Sequence, residues 1–270
     1  MDPQQLVLEG KLSEALAALQ DQVRKDASNA KYRIFLFQLL CVMGQWKRAL
    51  TQLNVAGELD AATLPMVQTY REAIQCEALR DEIFKASNSP LIFGQPPEWL
   101  ALMVEALKLH AAGNAAQALA VREQAFDAAP ASAGTIDGQR FEWMADADPR
   151  LGPVLEVVLN GRYFWVPLQR IRRIEFDAPA DLRDTIWTAA SFTWTNGAQT
   201  VGLVPTRYNG TVAMADDGLM LARRTEWTGE GNPIGQRMLV TDTGEYALMD
   251  IRIVEFDAVA DDAADLDQHG

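Results

Sequence analysis

The sequence predicts an α+β protein, with a first half of helical hairpins followed by a mainly antiparallel α+β second half. Three observations carry that prediction. Residue usage changes near position 130, where Ala, Leu, Gln and Glu at helical spacing give way to β-branched and aromatic runs. Those later runs are separated by the turn signals Asn160-Gly161, Asn196-Gly197 and Asp242-Thr243-Gly244. Two stretches also repeat: Gly10-Lys-Leu-Ser-Glu-Ala-Leu16 returns as Gly44-Gln-Trp-Lys-Arg-Ala-Leu50, and the stretch from Ile171 to Asp181 returns as Ile251 to Asp261.

The helical half follows from the first repeat. Its spacing is that of tetratricopeptide hairpins, which recur about every 34 residues. The repeat aligns Gly10 with Gly44, Leu12 with Trp46, Ala15 with Ala49 and Leu19 with Leu53. Glycine suits a tight interhelical turn and alanine a close helix crossing. A third copy, Gly113-Asn-Ala-Ala-Gln-Ala-Leu119, starts one position beyond two further periods from Gly44, and Pro130 falls where such a repeat places its closing proline. The copy due near residue 78 has Ala78 instead of glycine, the first repeat lacks most of its leading helix, and Ser87 to Pro97 is a proline-rich break. Residues 1–130 are therefore expected to form a degenerate tetratricopeptide-like superhelix, an irregular helical bundle being the alternative. Pro130-Ala-Ser-Ala-Gly134 is the expected linker.

Residues 131–257 are expected to form a separate α+β domain. Segments 154–159 and 162–166 flank Asn160-Gly161 as paired strands, 192–195 pairs with 200–204, and 237–241 with 245–256. The echo of 171–181 at 251–261 matches at eight of eleven positions, and each copy follows a hairpin-like segment, so two related β-rich units packed together are expected. Residues 258–270, with Asp261, Asp262, Asp265 and Asp267, read as an acidic disordered tail.

Charge narrows the function. The chain carries −13, divided as −3 over residues 1–130 and −10 beyond, and all six lysines lie at or before Lys108. That balance opposes binding to phosphate backbones and anionic headgroups, so neither nucleic acid nor membrane insertion is expected. The start, MDPQQLVLEG, lacks the basic and apolar regions of a leader, and the longest apolar stretch, from Ile34 to Gly44, is broken by Gln38 and too short to span a bilayer. A cytoplasmic location is expected. Cys41 and Cys76, the only cysteines, sit in apolar helical patterns and read as small buried thiols.

Catalytic constellations are sparse, and no cofactor is expected. Of the two histidines, His269 is penultimate and His110 lies on a leucine-bearing helix. No G-x-S-x-G, H-E-x-x-H, Walker A or Rossmann glycine pattern is present. Asp146 and Asp148 form a D-x-D pair of the kind that holds Mg²⁺ or Ca²⁺, which keeps a metal-dependent hydrolase in view, but Arg150 and Leu151 occupy places where a Ca²⁺ loop needs an oxygen ligand and a glycine. Arg150 beside the two carboxylates, in a charge-assisted and bidentate pair that fixes a turn, with Asp146 as its partner, is the simpler expectation. No spacing favours Glu142–Glu156 or Asp216–Asp217 as an acid/base pair. Trp143, Trp165, Trp187, Trp194 and Trp227 are expected in the core, and Arg162, Arg170, Arg172 and Arg173 in ion pairs or a basic patch.

The most distinctive stretch is 138–167, with the order G-x-x-F-x-W-x-x-D-x-D-x-R-L-G-P followed by G-R-Y-x-W-V-P. It resembles the ImpE family, also called TagJ, accessory proteins of bacterial type VI secretion systems. The similarity continues through Leu182 to Trp187, Leu203 to Tyr208, Leu221 to Trp227 and Gly235-Gln-Arg237. The resemblance implies a non-enzymatic adaptor with a tetratricopeptide-like domain fused to an α+β domain. It implies association with the small subunit of the contractile sheath, TssB-like, and modulation of sheath assembly or of recycling by the ClpV unfoldase, which is touched at most indirectly. A generic tetratricopeptide scaffold or chaperone is the alternative.

Counting back from the turn glycines places the partner site. The leading helix of each hairpin lines the concave groove in tetratricopeptide proteins, which offers Lys31, Ile34 and Gln38 from one repeat, Gln68 and Glu72 from the degenerate one, and Met103 and Leu107 from another. Such a mixture would accept an amphipathic helix, apolar anchors giving affinity and polar residues setting register. The opposing reading is that Ile34, Met103 and Leu107 complete the superhelix core.

Overall fold

The computed structural model describes residues 2–258, so apart from Ala258 the expected acidic tail lies outside the described residues. Seven helices fill the first half: α1 (Pro3–Leu8), α2 (Leu12–Lys25), α3 (Ala30–Val42), α4 (Trp46–Leu59), α5 (Leu64–Phe84), α6 (Glu98–Ala111) and α7 (Ala115–Ala128). The repeat glycines end α1, α3 and α6 in one way. Gly10, Gly44 and Gly113 have φ of 71°, 67° and 81°, and the next amide reaches back along the helix, Lys11 to Leu6, Gln45 to Leu40 and Asn114 to Leu109, at 2.9, 2.8 and 2.9 Å. This is the left-handed glycine stop that satisfies the last carbonyls of a helix.

The middle repeat departs from the regular count. Ala78 lies inside α5, which runs 21 residues, and the same stop comes at Ala86, with φ of 57° and Ser87 N–H donating to the Glu82 carbonyl at 3.0 Å. The proline-rich break that follows contains a short strand, β1 (Leu91–Ile92), which pairs parallel with Phe164 and Trp165.

The change from helix to strand falls between Ala128 and Gly134. Strands β2 (Gly134–Ile136), β3 (Gln139–Phe141), β4 (Met144–Asp146), β5 (Val154–Leu159), β6 (Arg162–Pro167), β7 (Ile171–Phe176), β8 (Trp187–Trp194) and β9 (Gln199–Pro205) precede the short helix α8 (Asp217–Met220). After it come β10 (Thr225–Trp227), β11 (Pro233–Gly235), β12 (Met238–Thr241), β13 (Glu245–Ala247) and β14 (Ile253–Phe256). Nine strands make one sheet in the order β1-β6-β5-β9-β8-β7-β14-β2-β3; β13-β12-β4 make a second, and β10-β11 a separate hairpin. Among the described residues every pairing except β1 with β6 is antiparallel. The expected strand 245–256 is broken by a 3-10 turn at Leu248–Asp250.

The sequence echo has a spatial counterpart. Its two copies supply β7 and β14, which lie side by side with Ile174 opposite Val254 and Arg173 opposite Glu255. A 3-10 turn precedes each strand at the matching position, Leu168–Arg170 before β7 and Leu248–Asp250 before β14.

Strand β5 is buried on both faces, and Glu156 is the one polar residue in its otherwise apolar run. Val154 and Val158 pack with Phe37, Ile83, Trp165 and Trp187 in a cluster that joins helices to sheet. Leu155, Val157 and Leu159 face a second cluster closed by Phe141, Leu239 and Leu248. Among the described residues no helix is long and apolar enough to cross a membrane.

Candidate functional site

The buried charges decide which carboxylates are free for chemistry. Arg80 projects from the buried stripe of α5, between Cys76 and Phe84, and donates to Glu156 of β5 through Nε at 2.6 Å and Nη2 at 2.9 Å. Glu156 also receives the Arg237 guanidinium and the Tyr163 hydroxyl, which itself accepts from Trp165 Nε1 at 2.9 Å. On its other side Arg237 pairs with Asp146, and its Nε donates to the Pro205 carbonyl at 2.8 Å. Burial would raise the Glu156 carboxyl, but the charges of Arg80 and Arg237 overcome it and hold the group at about 2. For Asp146 burial prevails over Arg237 and pushes the carboxyl up to about 6.

The D-x-D turn is built differently from its expected form. Arg150 pairs with Asp148, at 2.9 Å from Nε to Oδ1 and 2.6 Å from Nη2 to Oδ2, and lies over the Phe84 ring. Asp146 belongs to Arg237, accepts from Tyr208 Oη at 3.0 Å, and receives the Asp148 amide at 2.8 Å. The Asp146–Arg150 expectation is corrected on this point. An arginine close by in sequence cannot compete with one brought 91 residues along the chain into a site where both are dry. Glu142 is exposed, whereas Glu156 is sealed among arginines; Asp216 caps α8 through the Leu219 amide, and Asp217 accepts the Leu12 amide of α2 at 2.9 Å.

An open cavity lies between the helices and the sheet half. It measures about 610 Å³ and is walled by Val7 and Leu8 of α1, Lys31, Ile34, Phe35 and Gln38 of α3, the loop from Pro179 to Leu182, Thr185 and Met249. Asp181 and Asp184 lock that loop as a reciprocal capping box. Leu8 leaves 69% of its surface in water beside it. Gln38, 4% exposed as a whole residue, is the polar side chain of α3 that lines it beside Lys31.

Comparison with known proteins fits the stretch that stood out in the sequence. Residues 138–255 match the family model described as ImpE protein. The chain is 56% identical over 257 residues to the type VI secretion system accessory component TagJ of Pseudomonas aeruginosa, covering 95% of this chain and 92% of that one. The chain belongs to the ImpE family. An X-ray crystal structure of a Vibrio parahaemolyticus protein superposes with a TM-score of 0.86 at 20% identity, over 96% of this chain and 98% of that one, and shows the same fold.

The ImpE fold disperses the side chains counted from the turns. Lys31, Ile34 and Gln38 come together in the cavity just described. Gln68 and Glu72 hydrogen-bond one another on α5, and Glu72 lies against Gly161 of the β5–β6 turn. Their count began at Ala78, which is no turn, so their register had no basis. Met103 and Leu107, 1% and 3% exposed, are packed inside the cluster shared with the sheet.

Other residues were misjudged by sequence or missed by it. Trp165, Trp187 and Trp194 are buried as expected, but Trp143 and Trp227 are 42% and 52% exposed. Arg173 is taken by Glu175 and Glu255, Arg172 by the Phe256 carbonyl and Arg170 by that of Gln95, so the expected basic patch is largely paired. His110 stands 3.7 Å from Glu230, and both cysteines are free and buried. Arg80 lies on the i, i+3, i+4 stripe with Ala73, Cys76, Ile83 and Phe84, the sequence signal that marks it as buried. Among the described residues no three His, Cys, Asp or Glu side chains are grouped to hold a metal ion.

Proposed function

We propose that this ImpE-family chain is a non-enzymatic accessory protein of a type VI secretion system. In this reading it holds a segment of the sheath's small subunit, TssB-like, in the cavity between α1, α3 and the 179–185 loop. Through that contact it modulates sheath assembly or recycling, and the ClpV unfoldase is reached only through the sheath. The name of the Pseudomonas aeruginosa relative supports the accessory role. The pairing of Asp146, Asp148 and Glu156 with arginines supports a role without catalysis, because each carboxylate is committed to structure.

The observation that carries the site is the open cavity itself, where apolar Ile34, Phe35 and Leu8 stand beside polar Lys31 and Gln38. Apolar wall residues Ile34 and Phe35 with exposed Leu8 would anchor an amphipathic helix, while Gln38 and Lys31 would set its register. The test is co-purification of tagged protein from its native cytoplasm. Stoichiometric recovery of the sheath small subunit supports the reading. Recovery of unrelated chains without it favours a generic scaffold or chaperone instead.

A further inference from the structure

A second cleft, of about 540 Å³, opens where α7 meets β4 and the β10–β11 hairpin. Its aromatic walls are wet: Phe126, Trp143 and Trp227 are 38%, 42% and 52% exposed. The tryptophans arrive from distant segments, Trp143 just before β4 and Trp227 at the end of β10, and Pro149 and Pro153 line the cleft with them. Folding has thus gathered large apolar side chains at one place without burying them, the pattern of a surface that waits for a partner.

Charge says which partner. Only two lining residues are charged, and both are acidic. Asp146 is committed to Arg237, whereas Glu245 is exposed and has no ion pair among the described residues. Exposed Asp127 and Glu142 neighbour Phe126 and Trp143 in sequence. Tryptophan faces attract lysine and arginine, and acidic rims steer cations toward them. Nucleic acids and anionic surfaces would be repelled.

We propose that this cleft binds a basic peptide segment of a partner protein, setting an aliphatic or proline side chain against Trp143 and Trp227 and a lysine or arginine against Glu245. The site is distinct from the Gln38 cavity in residues, charge and occupant. A short fluorescein-labelled peptide alternating Lys, Leu and Pro, titrated into the full chain and followed by anisotropy, tests it. Saturable binding should weaken about tenfold or more in a Trp143→Ala, Trp227→Ala variant, again in Glu245→Lys, and with added salt. Absence of saturable binding, equal binding of a peptide with Glu in place of Lys, or undiminished binding by Glu245→Lys would overturn the proposal. Should the tryptophan variant melt early, the exposed Glu245→Lys change decides alone. Substituting Lys31 and Leu8 should leave this peptide's affinity unchanged, so the two sites stand or fall separately.

Discussion

Arg80 and Glu156, 76 residues apart, form a bidentate pair at 2.6 and 2.9 Å with side chains only 4% and 0% exposed. The pair joins α5 of the helical half to β5 of the sheet, and Arg80 Nη2 extends the link to the Arg207 carbonyl at 2.9 Å. Arg207 in turn donates to the Val42 carbonyl of α3 at 2.8 Å. Charges so placed fix how the halves meet, because each is costly unless its partner is in position.

Breaking the pair from one side should therefore be severe. Arg80→Met leaves Glu156 with Arg237 and Tyr163 alone and is expected to cost about 3–5 kcal/mol, read as a shift of the urea midpoint. A loss of less than about 1 kcal/mol would mean that apolar packing alone holds the halves together.

The same carboxyl makes an acid limb. Its folded value of about 2 lies below the unfolded 4.5, so its contribution to stability is present above about pH 4.5 and lost as pH falls toward 2. The full contribution is about 3 kcal/mol by linkage. Glu156→Gln resembles the protonated protein, so the stability gap between wild type and variant should be wide at pH 6 and close toward pH 2. Urea melts across that range check it, and a gap independent of pH contradicts it.

The displaced helix stop yields a stabilising change. Ala86 adopts φ of 57°, which an L side chain resists, and Ala86→Gly should raise stability by about 0.5–1 kcal/mol. The converse holds at Gly44, where a Cβ would meet Val212 Cγ1 at 2.6 Å, so Gly44→Ala should destabilise by about 1–3 kcal/mol. Thermal melts of both variants measure the two signs.

Much of the fold was legible because local chemistry dictated it. Gly10, Gly44 and Gly113 marked true left-handed stops, and Asn160-Gly161 marked the β5–β6 turn. The middle repeat was illegible because Ala86 performs a glycine's task, so counting from Ala78 put Gln68 and Glu72 in the wrong frame. The candidate cavity was half legible. Three residues of α3 converge on one cavity, but its opposite wall, Pro179 to Leu182 with Met249, belongs to the sheet half, and no helical period reveals that. Asp146 was matched to the nearest arginine in sequence, whereas long-range pairing gave it Arg237.

The α1–α3 cavity is proposed to hold the sheath small subunit. Calorimetric titration of that purified subunit into wild type and into a Leu8→Asp, Lys31→Glu variant tests it most directly, since Leu8 and Lys31 are exposed and the melt should be unchanged. Affinity should be weaker by about tenfold or more in the variant. Equal affinity in a variant with an unaltered melt would contradict it.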